Sequence, residues 1–311
     1  MMTAKVQPRY TGHETFVCRY AWIPKVVRAV DKDPGFFKNE DLAMVELGVG
    51  KNMVRSAKFW ADSAGVIEEC PNGWAVTEFG RLMFGYEGYD EFLQRPETLW
   101  LIHWKLSTNP KRPLFHWVQL LNRWQRSEFT ESEILKFLKH ELPDDEAAKS
   151  DRTLSDGIRV FINSYVPTRG RKGEIAEDNL DSPLTELGLI RKIGDRRDVD
   201  KSLEAVYEFV IGPKLGITAE LFAYCVWDYW QTSPFHDQNA LGFRFLASME
   251  GGPGQIFKLP ELQVRPLLEA ISEVTEGALT FDDSSSMQQV TRHRELPEED
   301  FIKTIYANAD S

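Results

Sequence analysis

Residues 36–85 constrain the fold most strongly, because two helices, a glycine-rich turn and a hairpin are predicted there in a fixed order. Asn39 is placed to cap a first helix, and residues 48–50, which include two glycines, interrupt the helical pattern after it. A second helix is predicted over residues 51–64, where apolar residues recur at helical spacing. The dipeptide Asn72-Gly73 between two short apolar segments is a favoured hairpin turn. This order of elements predicts a winged helix-turn-helix.

The second predicted helix carries a basic face. Lys51, Arg55 and Lys58 recur at intervals of four and three residues, and they therefore share one side of the helix. Together with Asn52 they are predicted to contact DNA, because basic side chains on a helix in a groove neutralise backbone phosphates. The alternative is the solvated face of a winged helix that binds protein, and this segment alone favours neither.

Residues 129–212 repeat the same order weakly and predict a second winged-helix-like unit. Thr130 and Glu133 have the spacing of a capping box at the start of a helix. Apolar residues at helical spacing predict another helix up to Tyr165. Two strands are predicted, one at residues 189–190 and one at 206–210, around the polar loop 191–204.

The basic residues of this second unit form two groups that are predicted to contact phosphates. One group lies in a short loop after Pro167, and the other lies in the predicted wing. Acidic neighbours at Asp195, Asp198 and Asp200 partly neutralise the wing, so a solvated hairpin is the alternative there. The two groups comprise Arg169, Arg171, Lys172, Arg191, Lys192, Arg196 and Arg197.

The rest of the chain reads as helical. Large apolar side chains recur at helical intervals over residues 96–126 and predict a core, since a base-stacking platform would need exposed rings. The fold class that follows is α+β, mostly α, with tandem winged helix-turn-helix-like units and a helical C-terminal region. The very end of its polar final stretch is expected to be loosely ordered. The expected domains are 1–128 (winged helix with a helical extension), 129–212 (second winged-helix-like unit) and 213–311 (mainly helical).

The charge balance limits how this chain could meet nucleic acid. With 37 Lys+Arg against 48 Asp+Glu, the net charge is −11, which argues against a polycationic surface but leaves room for a local basic face. The three cysteines lie far apart and suggest no disulfide framework. No segment approaches the ~18 apolar residues of a membrane span or resembles a signal peptide, so a cytoplasmic protein is predicted.

The densest group of chemically active residues is the segment 12–16, Gly-His-Glu-Thr-Phe, with Arg19 shortly after it. His13 could serve as a general base or metal ligand, Glu14 could bind Mg²⁺, and Arg19 could hold a phosphate. The alternative is a structural clip in which Arg19 pairs with Glu14 while Phe16 and Trp22 enter the core. No second carboxylate accompanies the group at helical spacing, which favours the clip.

Motifs for several other activities are missing from the sequence. There is no HExxH arrangement, no complete phosphate-binding loop, no GxGxxG after a strand and no GxSxG. Nucleotide hydrolysis, hydride transfer and serine-hydrolase chemistry are therefore unsupported. His103, between two tryptophans, is predicted to be a core histidine, and His236 is predicted to lie in a turn.

Several segments spread over nearly the whole chain resemble one bacterial family, long described as a domain of unknown function. It is the SspB-like family of Ssp-type DNA phosphorothioation systems. The segments that carry the resemblance are residues 12–16 with Arg19 and Trp22, Leu47–Val54, Thr98–Trp104, Ser182–Ile190 and Phe257–Leu259.

The resemblance implies a function in DNA sulfur modification. SspB-like proteins are linked to DNA nicking during replacement of a backbone oxygen by sulfur, beside a cysteine desulfurase, an ATPase and an ATP-pyrophosphatase-like enzyme. It assigns no catalytic residues, so His13, Glu14 and Arg19 remain candidates on chemical grounds alone.

The sequence therefore leads to one functional hypothesis and one alternative. The first is a DNA-binding component of a phosphorothioation defence system that nicks one strand with Mg²⁺ or Mn²⁺. The alternative is a non-catalytic winged-helix adaptor or transcriptional regulator. The expected partners are DNA and the other proteins of the system, with a homodimer left open and no membrane contact.

Overall fold

Helices and small antiparallel sheets build an α+β fold, which confirms the predicted fold class at that level. The described part of the chain contains one two-stranded sheet and two three-stranded sheets. No helix in this part is long and apolar enough to cross a bilayer. The computed structural model describes residues 7–143, 149–167, 182–197, 203–284 and 287–307.

The N-terminal part follows the predicted order of elements. Its elements are α1 (Trp22–Lys32), α2 (Glu40–Leu47), α3 (Lys51–Ser63), β1 (Ile67–Cys70), β2 (Gly73–Val76), α4 (Glu78–Phe84), α5 (Pro96–Thr108) and α6 (Phe115–Val118), which continues as a π-helix (Gln119–Arg123). Asn39 caps α2 as predicted, since its side chain accepts the N–H of Leu42 at 3.1 Å. Gly48 ends that helix in the left-handed conformation, with a φ of 69°.

α3 is buried on more than one side. Phe59 and Trp60 are buried, and Ser56 is fully buried and donates its hydroxyl to the carbonyl oxygen of His13 at 2.9 Å. Only a narrow strip of this helix therefore reaches solvent. The apolar face predicted from the sequence is confirmed by the burial of Val54, Ala57, Ala61 and Ala64.

The β1–β2 hairpin turns one residue earlier than predicted. Cys70 pairs with Gly73, so the turn consists of Pro71 and Asn72 and Gly73 belongs to the strand. Gly73 has a φ of 137°, and a Cβ atom there would lie 2.1 Å from the carbonyl oxygen of Pro34. Close approach of another backbone segment, rather than turn geometry, therefore requires the glycine.

The second part places two helices beside a three-stranded sheet with strand order β3-β5-β4. Its elements are β3 (Glu128–Phe129), α7 (Glu131–Glu141), α8 (Asp151–Tyr165), a 3₁₀ helix (Pro183–Leu187), β4 (Ile190–Arg197) and β5 (Leu203–Phe209). Thr130 and Glu133 form the predicted capping box at the start of α7.

The predicted polar loop at residues 191–204 was wrong over much of its length. Residues 191–197 belong to β4, which pairs with β5 across an irregularity between Lys192 and Gly194. Most side chains of β4 are exposed, so the strand lacks the apolar alternation that identifies strands from sequence. Residues 191–197 form a strand because they pair with β5, and the apolar pattern of the sequence does not show how far this pairing extends.

The C-terminal region contains a sheet that was not predicted. Its elements are α9 (Ala219–Thr232), β6 (Ala240–Gly242), α10 (Phe243–Ala247), α11 (Pro253–Ile256), α12 (Glu261–Glu269), α13 (Ile271–Val274), β7 (Leu279–Ser284), β8 (Met287–Arg292) and α14 (Glu298–Ala307). The strand order is β6-β8-β7. α14 packs against α9 and α4 with Phe301, Ile302 and Ile305 buried, and the end of the chain, for which loose order was expected, lies outside the described residues.

Residues from all three parts form hydrogen bonds with one another. The backbone N–H of Gly212 donates to the carbonyl oxygen of Lys258 at 3.2 Å, and Lys258 Nζ donates to the carbonyl oxygen of Leu121 at 2.5 Å. The phenol of Tyr306 in α14 hydrogen-bonds Thr98 of α5 at 2.6 Å. The N-terminal part thus depends on residues near position 300 for its packing, and the domain boundaries stay predictions.

Candidate nucleic-acid interface

The conspicuous segment at residues 12–16 folds into a left-handed turn against α3. Gly12, Glu14 and Thr15 have φ values of 114°, 50° and 64°. Non-glycine residues in this region are uncommon and cluster at functional sites. A Cβ atom on Gly12 would lie 2.6 Å from Cδ2 of Phe59, so the glycine lets the turn approach the helix closely.

Hydrogen bonds hold this turn in place. The carbonyl oxygen of His13 accepts from Ser56 Oγ at 2.9 Å and from the N–H of Phe16 at 2.8 Å. His13 Nδ1 accepts the N–H of Thr15 at 3.1 Å. Trp60 Nε1 donates to the carbonyl oxygen of Phe16 at 3.1 Å. The strained backbone is therefore fixed by α3, and Glu14 is held at the protein surface.

An open cleft of about 880 Å³ lies beside this turn, between α3, the β1–β2 hairpin and the loop that follows α5. Two aromatic rings line it, those of Phe59 and Trp74. Its charged lining consists of five basic residues, Arg9, Arg55, Lys58, Lys111 and Arg112, and three acidic ones, Glu14, Asp62 and Glu69. The cleft is thus locally basic on a protein of negative net charge.

Aromatic rings hold two of the cations. Lys58 Nζ lies 5.1 Å from the ring centroid of Trp74 and 5.7 Å from that of Phe37. The Arg9 guanidinium lies 4.2 Å from the centre of the Phe59 ring. Cation–π contacts at these distances stabilise the positive charge. Lys58 has no carboxylate partner among the described residues, which leaves its charge available to an anion.

Carboxylates contact Arg9 as well, together with Lys111 and Arg112. Asp62, whose side chain is nearly buried, lies 2.8 Å from Arg9 and 3.3 Å from Arg112. Lys111 contacts Glu68 at 3.2 Å, and Arg112 also contacts Glu69 at 3.5 Å. The surface pairs are worth little energetically, whereas Asp62 fixes two guanidinium groups at one edge of the cleft.

The predicted basic face of α3 is exposed but partly paired. Lys51, Asn52 and Arg55 are exposed, and Lys58 is half-buried against the hairpin. Glu40 of α2 contacts both Lys51 (2.6 Å) and Arg55 (2.9 Å). Hydrogen bonding to these two groups lowers the pKa of Glu40.

The three predicted catalytic residues do not form one constellation. Glu14 is exposed and lines the cleft, whereas His13 and Arg19 are not among its lining residues. Arg19 lies over the ring of Trp22 at 5.4 Å. His13 is buried, its Nε2 atom has no hydrogen-bond partner, and burial lowers its pKa to about 4. The neutral imidazole serves the turn as a hydrogen-bond acceptor.

The basic residues predicted in the second unit fall into a group on β4, most of which pair with carboxylates, and a group that the structure does not describe. Arg191 pairs with Glu208, Lys192 lies 2.6 Å from Asp195, and Arg196 contacts both Glu128 and Glu133. These pairs span β4 and its neighbours, and Arg197 is exposed at the end of β4. Arg169, Arg171 and Lys172 lie outside the described residues.

The histidines offer no metal centre in the described part of the chain. His103 is fully buried, with Nδ1 2.7 Å from the Tyr165 hydroxyl, which confirms the predicted core histidine. His236 lies in a turn as predicted, with Nε2 3.3 Å from Asp237. No group of three or more histidine, cysteine or acidic residues within the described ranges could hold a metal ion.

Several residues of the cleft were missed by sequence reasoning. Arg9 reaches it through a parallel bridge with Leu114, in which Arg9 N–H donates to the carbonyl oxygen of Pro113 at 2.8 Å. Lys111 and Arg112 lie in the loop between α5 and α6. The only local signal for these two residues was that they are adjacent basic residues in a short loop. The pairing of Arg112 with Asp62 joins positions 50 residues apart, and local sequence does not show it.

Fold and cleft together define the class: an α+β protein with a basic cleft, lined by aromatic rings, next to a helix–turn–helix–hairpin segment. The chain belongs to the family described as protein of unknown function (DUF4007), whose model matches residues 10–306. No curated protein matches the chain.

Two crystal structures share the fold over almost the entire chain. One is an SspB crystal structure, with a TM-score of 0.81, 23% identity, and coverage of 99% of this chain and 91% of SspB. The other is a magnesium ion-bound SspB crystal structure, with a TM-score of 0.80, 23% identity, and coverage of 98% and 90%. The resemblance to SspB noted from the sequence motifs is confirmed at the level of fold.

Proposed function

We propose that this protein binds DNA as a component of a phosphorothioation system and that the basic cleft receives the DNA backbone. The observation that carries the proposal is the convergence of Arg9, Arg55, Lys58 and Arg112 on one cleft of a protein with a net charge of −11. Phosphate contacts supply most of the affinity of DNA-binding proteins. Concentrating the basic residues at one place gives DNA a defined docking position.

The proposal treats α2, α3 and the β1–β2 hairpin as a winged helix-turn-helix. In that arrangement α3 enters the major groove with Lys51, Asn52 and Arg55, while the hairpin lies along the backbone. The second unit, built from β3, α7, α8, β4 and β5, would be a further winged-helix-like module. Its basic residues on β4 are largely paired within the protein, so the first cleft is the main DNA contact.

The link to phosphorothioation rests on the shared fold with SspB. The proposed partners are the proteins expected with SspB-like proteins: a cysteine desulfurase, an ATPase and an ATP-pyrophosphatase-like enzyme. The protein would hold DNA for these enzymes, and a cytoplasmic location is part of the same proposal.

Strand nicking is a second candidate function, favoured by the position of Glu14. This carboxylate is exposed in the cleft, has no ion-pair partner among the described residues, and sits on strained backbone. Mg²⁺ is commonly bound by one or two carboxylates together with waters and substrate phosphates. Glu14 is suited to that task, and a bound ion would supply charge stabilisation at the reacting phosphate. Beside it, Arg9, Arg55 and Arg112 would orient the backbone.

Replacing two cleft cations should weaken DNA binding across all sequences. We expect Arg55→Ala with Lys58→Ala to lower the slope of log K against log salt by about one to two, since each phosphate contact contributes about 0.9 and Glu40 already neutralises part of the Arg55 charge in the free protein. The measurement is fluorescence anisotropy of a labelled duplex over a range of NaCl concentrations. Arg152→Ala, which removes an exposed positive charge on α8 outside the cleft lining, is the matched control. A slope unchanged from the wild type would show that the cleft does not contact phosphates.

Nicking is tested separately, by relaxation of supercoiled plasmid with Mg²⁺ or Mn²⁺ and with EDTA. If Glu14 acts on the scissile phosphate, Glu14→Gln should slow nicking about 100-fold or more, because acid–base or metal-binding carboxylates contribute at least that much. DNA affinity should change little.

Glu87→Gln is a matched control, because Glu87 is also exposed and also has a positive φ, 59°, in a loop away from the cleft. Absence of nicking under any metal, by wild-type protein that still binds DNA, would remove the nickase and favour the non-catalytic adaptor or regulator.

A further inference from the structure

The carboxylate of Glu40 spans two cations of the α3 face. Glu40 is the first residue of α2, Lys51 is the first residue of α3, and Arg55 follows one helical turn later. One carboxylate oxygen lies 2.6 Å from Lys51 Nζ and the other lies 2.9 Å from Arg55 Nε. The single carboxylate of Glu40 therefore pairs with both Lys51 and Arg55, the two cations that the proposal places against DNA.

This contact contributes little to folding. The side chains of Glu40, Lys51 and Arg55 are 35%, 52% and 47% exposed, and ion pairs so exposed to water contribute little to stability. Asn39 already caps α2, and Asp41 also lies in its first turn, where acidic residues suit the helix dipole. Stability alone thus gives no strong reason for this carboxylate to bridge Lys51 and Arg55.

Asp62 differs from Glu40 in how deeply its carboxylate is buried. It also holds two cations, Arg9 and Arg112, but its side chain is only 8% exposed and cannot leave them freely. Asp62 is therefore a fixed part of the cleft. Glu40 lies at the surface on a flexible side chain, and it can turn toward solvent when another anion takes its place.

We propose that Glu40 regulates DNA binding by occupying, in the free protein, the positions on Lys51 and Arg55 that DNA phosphates take in the complex. The proposal rests on the proposed DNA-binding function of the cleft. DNA that engages only α3 exchanges one anion for another and gains little. DNA that also reaches Lys58 and the cleft gains additional contacts. Competition by Glu40 therefore disfavours incomplete, non-specific complexes.

Replacement of Glu40 by DNA phosphates also changes how strongly the DNA affinity depends on salt concentration. DNA phosphates that displace Glu40 release DNA counterions but expose a carboxylate that attracts cations again, so the net ion release at these two positions falls by up to about one. Removing the carboxylate charge should restore the full release.

The test compares Glu40→Gln with Glu46→Gln on a short duplex. Both variants lose one negative charge from α2, but Glu46 is exposed and has no ion-pair partner among the described residues. We expect Glu40→Gln to tighten DNA binding about three- to tenfold at low salt and to steepen the salt slope by up to about one. Glu46→Gln should produce a much smaller change, and adding Lys51→Ala and Arg55→Ala to Glu40→Gln should abolish the gain.

Three outcomes would overturn the proposal in different ways. Equal gains from Glu40→Gln and Glu46→Gln would mean that net charge, not the bridge, controls binding. Wild-type binding with no gain from Glu40→Gln would remove the competitor role and leave the DNA-binding function intact. Failure of both wild-type protein and Glu40→Gln to bind DNA, with normal circular dichroism, would overturn both proposals.

Discussion

Between pH 7.5 and pH 5 the free energy of unfolding should fall steeply, because three histidines are buried in the neutral form. Burial lowers the pKa of His13 to about 4, that of His103 to about 3 and that of His116 to about 4. Each folded pKa lies below the ordinary value of 6.5, so the unfolded chain binds protons that the folded chain excludes. Stability is complete above about pH 6.5 and is lost as the pH falls toward 4. Each histidine contributes about 1.4 kcal/mol per pH unit in this window.

Urea denaturation at several pH values measures this loss. His116→Gln keeps a donor for the carbonyl oxygen of Leu154, which His116 Nε2 contacts at 3.0 Å, and should reduce the pH dependence by about a third. His140→Asn is the control, because His140 is exposed in the last turn of α7. A free energy of unfolding that stays constant from pH 7.5 to pH 5 would contradict the prediction.

Asp228→Ala should destabilise the protein by up to about 3–5 kcal/mol, because it removes one partner of an ion pair whose side chains are only 15% and 13% exposed. Asp228 accepts from Lys105 Nζ at 2.8 Å and from Trp104 Nε1 at 2.7 Å. Burial alone would disfavour the ammonium of Lys105, but Asp228 and Glu298 outweigh this and raise its pKa. Without Asp228 the ammonium keeps Glu298, 3.5 Å away, as its carboxylate partner among the described residues, and the Trp104 indole loses its acceptor.

Glu68→Ala is the matched control for this variant. Its pair with Lys111 is largely exposed, so its loss should cost at most about 1 kcal/mol. Urea denaturation of both variants at pH 7.5 gives the comparison. Equal losses would show that the Asp228 network contributes no more than a surface pair.

Local signals allowed much of the secondary structure to be predicted. The cap at Asn39, the capping box of Thr130 and Glu133 and the apolar face of α3 are each encoded within a few neighbouring residues. Short-range hydrogen bonds and helical periodicity decide such features, and a single sequence displays both.

Contacts between distant positions could not be predicted in this way. Arg9 and Asp62 are 53 residues apart, and the sequence around either residue does not predict that they pair. The exposed strand β4 and the sheet β6-β8-β7 depend on partners elsewhere in the chain. The sequence showed a basic stripe on α3, but Glu40, which neutralises two of its members, belongs to the preceding helix and becomes visible only in the folded chain.

The packing of α14 has a consequence for synthesis of the protein. Tyr306 hydrogen-bonds Thr98, 208 positions earlier, and its ring stacks on Tyr89 at 5.1 Å. During translation the N-terminal part therefore emerges long before the helix that covers this side of it. Until the ribosome has made α14, the apolar surface around Tyr89 and α4 is exposed to solvent, and exposed surfaces of this kind are bound by chaperones. A nascent chain would thus complete the packing of its N-terminal part late, after most of the polypeptide has been synthesised.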